Sequence, residues 1–276
     1  QVDGEAVTGK DLDLVVKENI RGEEGTYVDI TVLRGENAEE TPLHVERRSI
    51  EVPTVEYQML ENQVGYIYVT QFDEVTAKQF EDAIDDLEGQ GMEKLVIDLR
   101  NNPGGVLDTA VEMLAYVLPE DKLDGMLVYT ADKNGEGDRY FCKDGKIQRE
   151  SDDGSRDSRY PKEDDHELDV PLAVLVNGNS ASASEVFTGA VMDYDAGIVV
   201  GTTTFGKGIV QNLIPLGDGT AIKLTTAHYY TPNGFDLHGK GLEPDVVVEM
   251  DEELQKKAVV ELSEDNQLQA AIEAMN

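Results

Sequence analysis

The 276-residue chain has no tryptophan, a single cysteine and few cations. Lys and Arg total 23 against 57 Asp and Glu, giving a formal net charge of −34. A surface of that sign cannot replace the counterions of a nucleic-acid backbone, so no nucleic-acid partner is expected. It also lacks the basic patch that would hold it to an anionic membrane surface. The lone Cys142 excludes an intramolecular disulfide framework and a Cys-based zinc site. His44, His166, His228 and His238 show no metal-ligand spacing, so neither a metal nor another cofactor is expected. No apolar stretch approaches the ~20 residues needed to span a bilayer. The charge does not make the chain disordered, because 39% of residues are hydrophobic and the apolar runs are well formed. The length suits one large domain, or one domain plus a small module. The opening Gln1-Val2-Asp3-Gly4 carries no signal peptide and reads as mid-domain.

Along the chain, Thr8 can cap a helix running to about Asn19, with Leu12, Val15 and Val16 on one face. Tyr27–Leu33 alternates as a strand, the loop 35–41 follows, and a further strand is expected at Leu43–Arg47. Val64–Val69 and the apolar run Leu95–Leu99 are strands, the second of the type buried on both faces. Helices are expected over Ala77–Leu87, capped by Thr76, and over Asp108–Val117. Residues 130–167 are polar and read as an exposed hairpin followed by a loop. Pro171–Val176, Gly197–Gly201, Ile209–Pro215 and Thr220–Tyr230 read as strands, with a helix entered at Ser180–Ala190. Glu252–Asn276 is amphipathic and helical, with Leu268, Ile272 and Met275 on one stripe. Strands alternate with helices from 64 to 201, which argues for an α/β core. Charge runs such as Glu163-Asp164-Asp165 read as solvated surface.

Three segments can carry chemistry. Ser180-Ala181-Ser182-Ala183-Ser184 follows a buried strand and opens a helix. Free N–H groups and the helix dipole there favour an attacking alkoxide and its oxyanion. The same run also reads as a plain cap with small packing residues. Lys207 lies between Gly206 and Gly208, where a close backbone approach would desolvate it and make it a base. A turn lysine pointing into water is the bland alternative. Gly104-Gly105, between a strand and a helix, can aim N–H groups at an anion or a carbonyl, or form an ordinary turn. Residues 201–207 match a phosphate loop up to the Lys. Gly208 then stands where Ser or Thr should hold Mg²⁺, and a strand follows where a helix is needed. The dinucleotide-binding spacing is incomplete as well.

Together, Val96–Gly105, Val174–Glu185, Thr204–Gln211 and Gly239–Asp245 resemble the carboxyl-terminal processing peptidases, the tail-specific serine peptidase family. The likeness covers nearly the whole chain. It implies an α/β (α+β) peptidase core of crotonase/ClpP-like type over residues 50–250 and a C-terminal helical extension over 251–276. By the same likeness, residues 1–49 form the C-terminal half of a PDZ domain, whose carboxylate-binding loop would lie before residue 1. The resemblance places the nucleophile on Ser182, the general base on Lys207 and the residue that orients the Lys on Gln211. If Lys207 and Gln211 share one strand, their spacing of four puts both on one face. The oxyanion hole would come from the N–H groups of Ala183 and Gly105, with Gly104 as the alternative. The implied activity is serine endopeptidase cleavage near unstructured, fairly apolar protein C-termini, outside the cytoplasm. Substrate proteins with exposed C-termini are the implied partners, and membrane anchoring would act through a segment missing from this chain. The amphipathic tail is a candidate homodimer element, or equally an intramolecular core helix. A catalytically silent peptide-binding protein on the same fold is the competing reading.

Overall fold

The computed structural model describes residues 1–35, 38–118, 125–143, 146–157, 168–217, 219–257 and 259–276. Two compact units emerge, Gln1–Val52 and Pro53–Asn276. In the first, helix α1 (Leu12–Val15) runs into a π turn at Val16–Ile20, and strands β1 (Tyr27–Arg34) and β2 (Glu39–Glu46) pair antiparallel. The α1 cap is Asp11, not Thr8: its carboxylate accepts the Leu14 N–H at 3.1 Å, a shorter local link than Thr8 can make. Val2, Val15 and Val28 form a small buried cluster, whereas Leu12 is exposed.

Among the described residues, the second unit is a mixed α/β fold built on two six-stranded sheets. The first sheet comprises β3 (Val55–Met59), β4 (Val64–Val69), β5 (Lys94–Asp98), β10 (Leu172–Val176), β11 (Ile198–Gly201) and β14 (Val246–Val247). Its order is β14-β11-β10-β5-β4-β3, parallel throughout except at the β3–β4 edge. Helices α2 (Thr76–Gly89), α3 (Leu107–Val117) and α4 (Ala183–Asp193) cover one face, and α6 (Asn266–Ala274) the other. The period-2 alternation of strands explains this sorting. Leu95 and Ile97 of β5 join the cluster with the first three helices, while Val96 joins Leu268, Ala271 and Met275 of α6. Both faces are thus dry, as continuous apolar runs require.

The second sheet is antiparallel, in the order β12-β13-β6-β7-β8-β9. It comprises β6 (Met126–Ala131), β7 (Asp138–Lys143), β8 (Lys146–Ser151), β9 (Arg156–Asp157), β12 (Ile209–Pro215) and β13 (Ala221–Tyr230). The exposed hairpin expected from residue 130 is therefore corrected. Tyr140, Cys142 and Ile147 alternate inward and join the main core, so a few well-spaced anchors sufficed in a polar stretch. The loop expected over 158–167, with its run Glu163-Asp164-Asp165, lies outside the described residues.

The C-terminal segment is not one continuous helix. A short α5 (Glu252–Gln255) precedes α6, whose N-cap Asp265 accepts the Gln267 and Leu268 N–H groups. The same buried carboxylate receives two guanidinium N–H bonds from Arg100, which also binds Asp98. Tyr66 donates its hydroxyl hydrogen to Asp98 at 2.7 Å. Burial first, and the Asp98 carboxylate second, push the Tyr66 hydroxyl pKa well above the ordinary phenol value. This network ties α6 to the end of β5, directly before the turn at residues 101–105.

Candidate active site

The carboxyl ends of β5, β10 and β11 lead into three segments that meet. The first is the turn Asn101–Gly105. The second is Asn177–Ser182, which enters α4. The third is the extended stretch 202–208 between β11 and β12. Loops at the carboxyl edge of a parallel sheet are where such folds place their chemistry.

Ser182 sits at the N-cap of α4 with φ 58° and ψ −116°. A non-glycine residue in this region carries backbone strain, and strain of this kind concentrates at functional sites. Its neighbours in the serine run do different work. Ser180 donates its hydroxyl hydrogen to the Leu99 carbonyl at 2.8 Å, and Ser184 donates to the Asn102 carbonyl at 3.0 Å. Both are fully buried, while Ser182 is half-exposed. The bland reading, serines as local staples, thus fits Ser180 and Ser184.

Gly104 packs against this elbow. A Cβ there would lie 2.5 Å from the Ala181 carbonyl oxygen, 2.8 Å from Ser182 Cβ and 2.9 Å from the Ala183 nitrogen. Its φ of 93° also favours glycine. The Gly104 N–H is spent on Asn102 Oδ1 at 2.9 Å. The N–H groups of Gly105 and Ala183 donate to no group among the described residues.

Lys207 is half-buried in the loop ahead of β12, which begins at Ile209. Its ammonium makes no ion pair or hydrogen bond among the described residues, and it is not hydrogen-bonded to Ser182. Gly206 and Gly208 allow the close approach their pattern suggests. A Cβ on Gly208 would meet the His238 nitrogen at 2.6 Å, and one on Gly206 the Gly241 nitrogen at 3.0 Å. Because Lys207 precedes the strand, the same-face spacing argument does not place Gln211 beside it. Gln211 is exposed on β12 and donates to Thr225 Oγ1 at 3.3 Å.

The link between the Ser182 and Lys207 segments is a residue that sequence reasoning passed over, Glu185. Its side chain is fully buried. One carboxylate oxygen accepts the Ser182 N–H at 3.0 Å and the Lys207 N–H at 2.7 Å. The other accepts the Thr204 hydroxyl at 2.6 Å and the Gly206 N–H at 2.7 Å. No cation pairs with Glu185 among the described residues, and all four of these bonds come from N–H and O–H donors. The signal was present in the sequence: Ser182-Ala183-Ser184-Glu185 is the S-x-x-E of a capping box.

Comparison with known proteins identifies the family. Residues 63–248 match the model described as Peptidase family S41, and the chain belongs to that family. It is 39% identical over 249 residues to a probable CtpA-like serine protease of Staphylococcus aureus, covering 90% of this chain and 45% of that protein. The chain thus spans less than half the length of this curated relative. Among solved structures, it is similar to a photosystem II D1 C-terminal processing protease with a TM-score of 0.55 and 30% identity, covering 90% of this chain and 62% of the other. A lipoprotein from Streptococcus agalactiae shares the fold at a TM-score of 0.52 and 21% identity, over 71% of this chain and 65% of that one.

Proposed function

We propose that this chain carries the active site of a serine endopeptidase that cleaves proteins near unstructured, fairly apolar C-termini. The observation that carries the reading is the convergence of the strained Ser182 and the Lys207 backbone on one buried Glu185 oxygen. Lys207, as the general base, removes the Ser182 hydroxyl proton as Oγ attacks the substrate carbonyl. The N–H groups of Gly105 and Ala183 receive the oxyanion, since the alternative donor, Gly104, already spends its N–H on Asn102. Lys207 then gives its proton to the leaving amine. Water, activated by Lys207, releases the acyl group and restores Ser182. Gln211 is the residue that orients Lys207 in this reading, although in the structure it is exposed and bonded to Thr225.

A fluorophosphonate should attach to Ser182, giving an adduct that is absent from Ser182→Ala. No adduct, combined with equal turnover of an unfolded substrate by wild type and Ser182→Ala, would leave the competing reading of a silent peptide-binding protein. The absence of a hydrogen bond between Ser182 and Lys207 among the described residues is what favours that second reading. Gly104→Ala is expected to lower kcat by about 10²-fold, because the added methyl drives the turn from Ser182 and displaces the Gly105 donor. Steady-state kinetics on the folded variant check this, and an unchanged kcat would place the oxyanion elsewhere.

The hairpin and helix of the first unit support reading residues 1–49 as the C-terminal half of a PDZ domain, followed by a peptidase core over 50–250. The family resemblance favours a location outside the cytoplasm. Among the described residues no helix is long and apolar enough to cross a membrane, so anchoring would use another segment.

A further inference from the structure

Among the buried polar side chains that the mechanism does not use, that of Asn102 bonds directly to the glycine turn. It is completely inaccessible, yet every polar group it owns is engaged. Its Nδ2 donates to the Val69 carbonyl at 2.8 Å, at the end of β4. Its Oδ1 accepts the Gly104 N–H at 2.9 Å. Its backbone carbonyl accepts the Ala181 N–H at 3.0 Å and the Ser184 hydroxyl at 3.0 Å. Its own N–H donates to the Leu99 carbonyl at 3.2 Å.

These bonds have a specific geometry. Ala181 and Ser184 bracket Ser182 and Ala183, so the Asn102 carbonyl grips the elbow on both sides of the nucleophile and its adjacent N–H. The side chain grips the glycine turn from the opposite direction. Phe72, three residues beyond Val69, completes the clamp. Its N–H donates to the Gly104 carbonyl at 3.1 Å and its carbonyl accepts the Val106 N–H at 2.7 Å. Gly105 is thereby held from both flanks while its own N–H stays unspent. Two adjacent glycines offer two candidate donors, and the Asn102 side chain turns one of them inward.

We infer that Asn102 is the positioning residue of the oxyanion site: it commits the Gly104 N–H, leaves that of Gly105 to the substrate carbonyl, and fixes its separation from the Ala183 N–H. This rests on the peptidase reading above. Asn102 touches neither substrate nor Lys207, so its contribution falls on transition-state charge rather than on proton transfer or binding. A misaimed hydrogen bond loses most of its value, and an oxyanion donor is effective only when aimed at the oxygen as charge develops.

The test compares the full wild-type chain with Asn102→Ala and Asn102→Asp, using an unfolded protein substrate and the pH dependence of kcat/KM. Asn102→Ala should lower kcat by about 10²-fold, the usual cost of one oxyanion donor. KM should stay within about threefold and the acid limb of the pH profile should not move. A carboxyl buried against the Val69 carbonyl is held in its neutral form, so Asn102→Asp keeps an acceptor for the Gly104 N–H and an O–H donor to Val69, and it should recover at least about tenfold of that loss. A kcat for Asn102→Ala near wild type, a loss carried by KM, a shifted acid limb, or an Asp variant no better than Ala overturns the inference. If Asn102→Ala does not unfold cooperatively, Ser184→Ala replaces it. That variant removes one bond to the Asn102 carbonyl and should cost kcat about fivefold at constant KM, and an unchanged kcat overturns the inference. Fluorophosphonate labelling of wild type separates the two readings. An unlabelled wild type removes the peptidase reading, whereas a labelled wild type with a fully active Asn102→Ala removes only this one.

Discussion

Replacing Lys207 with Ala is expected to cut turnover of an unfolded protein substrate by about 10⁴-fold or more, with the fold intact. Losing a member of a catalytic unit costs on that order or beyond, because the remaining groups cannot generate the alkoxide. Folding should survive, because the bond that secures this residue runs from its backbone N–H to Glu185 and not from its ammonium. Lys207→Arg sharpens the test. A guanidinium stays protonated at any working pH, so it retains the positive charge and loses the base. If Lys207 served only as a charge near the oxyanion, the Arg variant would keep much of the activity. Parallel loss in both variants, measured by single-turnover kinetics alongside thermal unfolding, is the expected outcome. Activity of Lys207→Ala within tenfold of wild type would remove Lys207 as the base.

Glu185→Ala is expected to damage both stability and catalysis. It leaves the Ser182, Gly206 and Lys207 N–H groups and the Thr204 hydroxyl without their acceptor in a buried place. Each unsatisfied buried donor costs about 1–3 kcal/mol, reduced by whatever water enters the space left behind. A net loss of about 4 kcal/mol is reasonable. At about 2–4 °C per kcal/mol for a unit of this size, melting should fall by about 10 °C. Glu185→Gln is nearly isosteric but turns an amide NH₂ toward two of the four donors, so it should recover only part of the loss. Thermal unfolding monitored by circular dichroism checks the stability claim. Activity assayed well below the melting temperature checks the second claim: a folded Glu185→Gln should still be slower than wild type by about 10-fold or more, because the Ser182 and Lys207 segments no longer share an anchor. A Gln variant with wild-type melting and rate would reduce Glu185 to an ordinary cap.

The strands were legible wherever burial is dictated by the local pattern. Leu95–Ile97 and Leu172–Val176 are apolar without interruption, and both became central parallel strands, buried on both faces. Residues 126–157 were less readable. In β7 only the alternate residues Tyr140 and Cys142 are fully buried, and the polar residues around them mask the pattern. The C-terminal segment misled in length. Its apolar stripe belongs to a nine-residue helix whose N-cap Asp265 is fixed by Arg100, which lies 165 residues earlier.

The candidate site divides along the same line. Its residue types and spacings were set by the sequence alone: a serine opening a helix after a buried strand, a glycine-flanked lysine, and a glycine pair after another buried strand. These are local facts, fixed by backbone freedom and by what a helix N-terminus can stabilise. Which of the three serines is strained, which glycine keeps its N–H, and where Gln211 points were decided by tertiary structure. Those outcomes depend on hydrogen bonds that Asn102, Glu185 and Thr225 make with other segments of the chain. A buried polar group takes the partner that the folded chain brings to it, and no short window of sequence contains that partner.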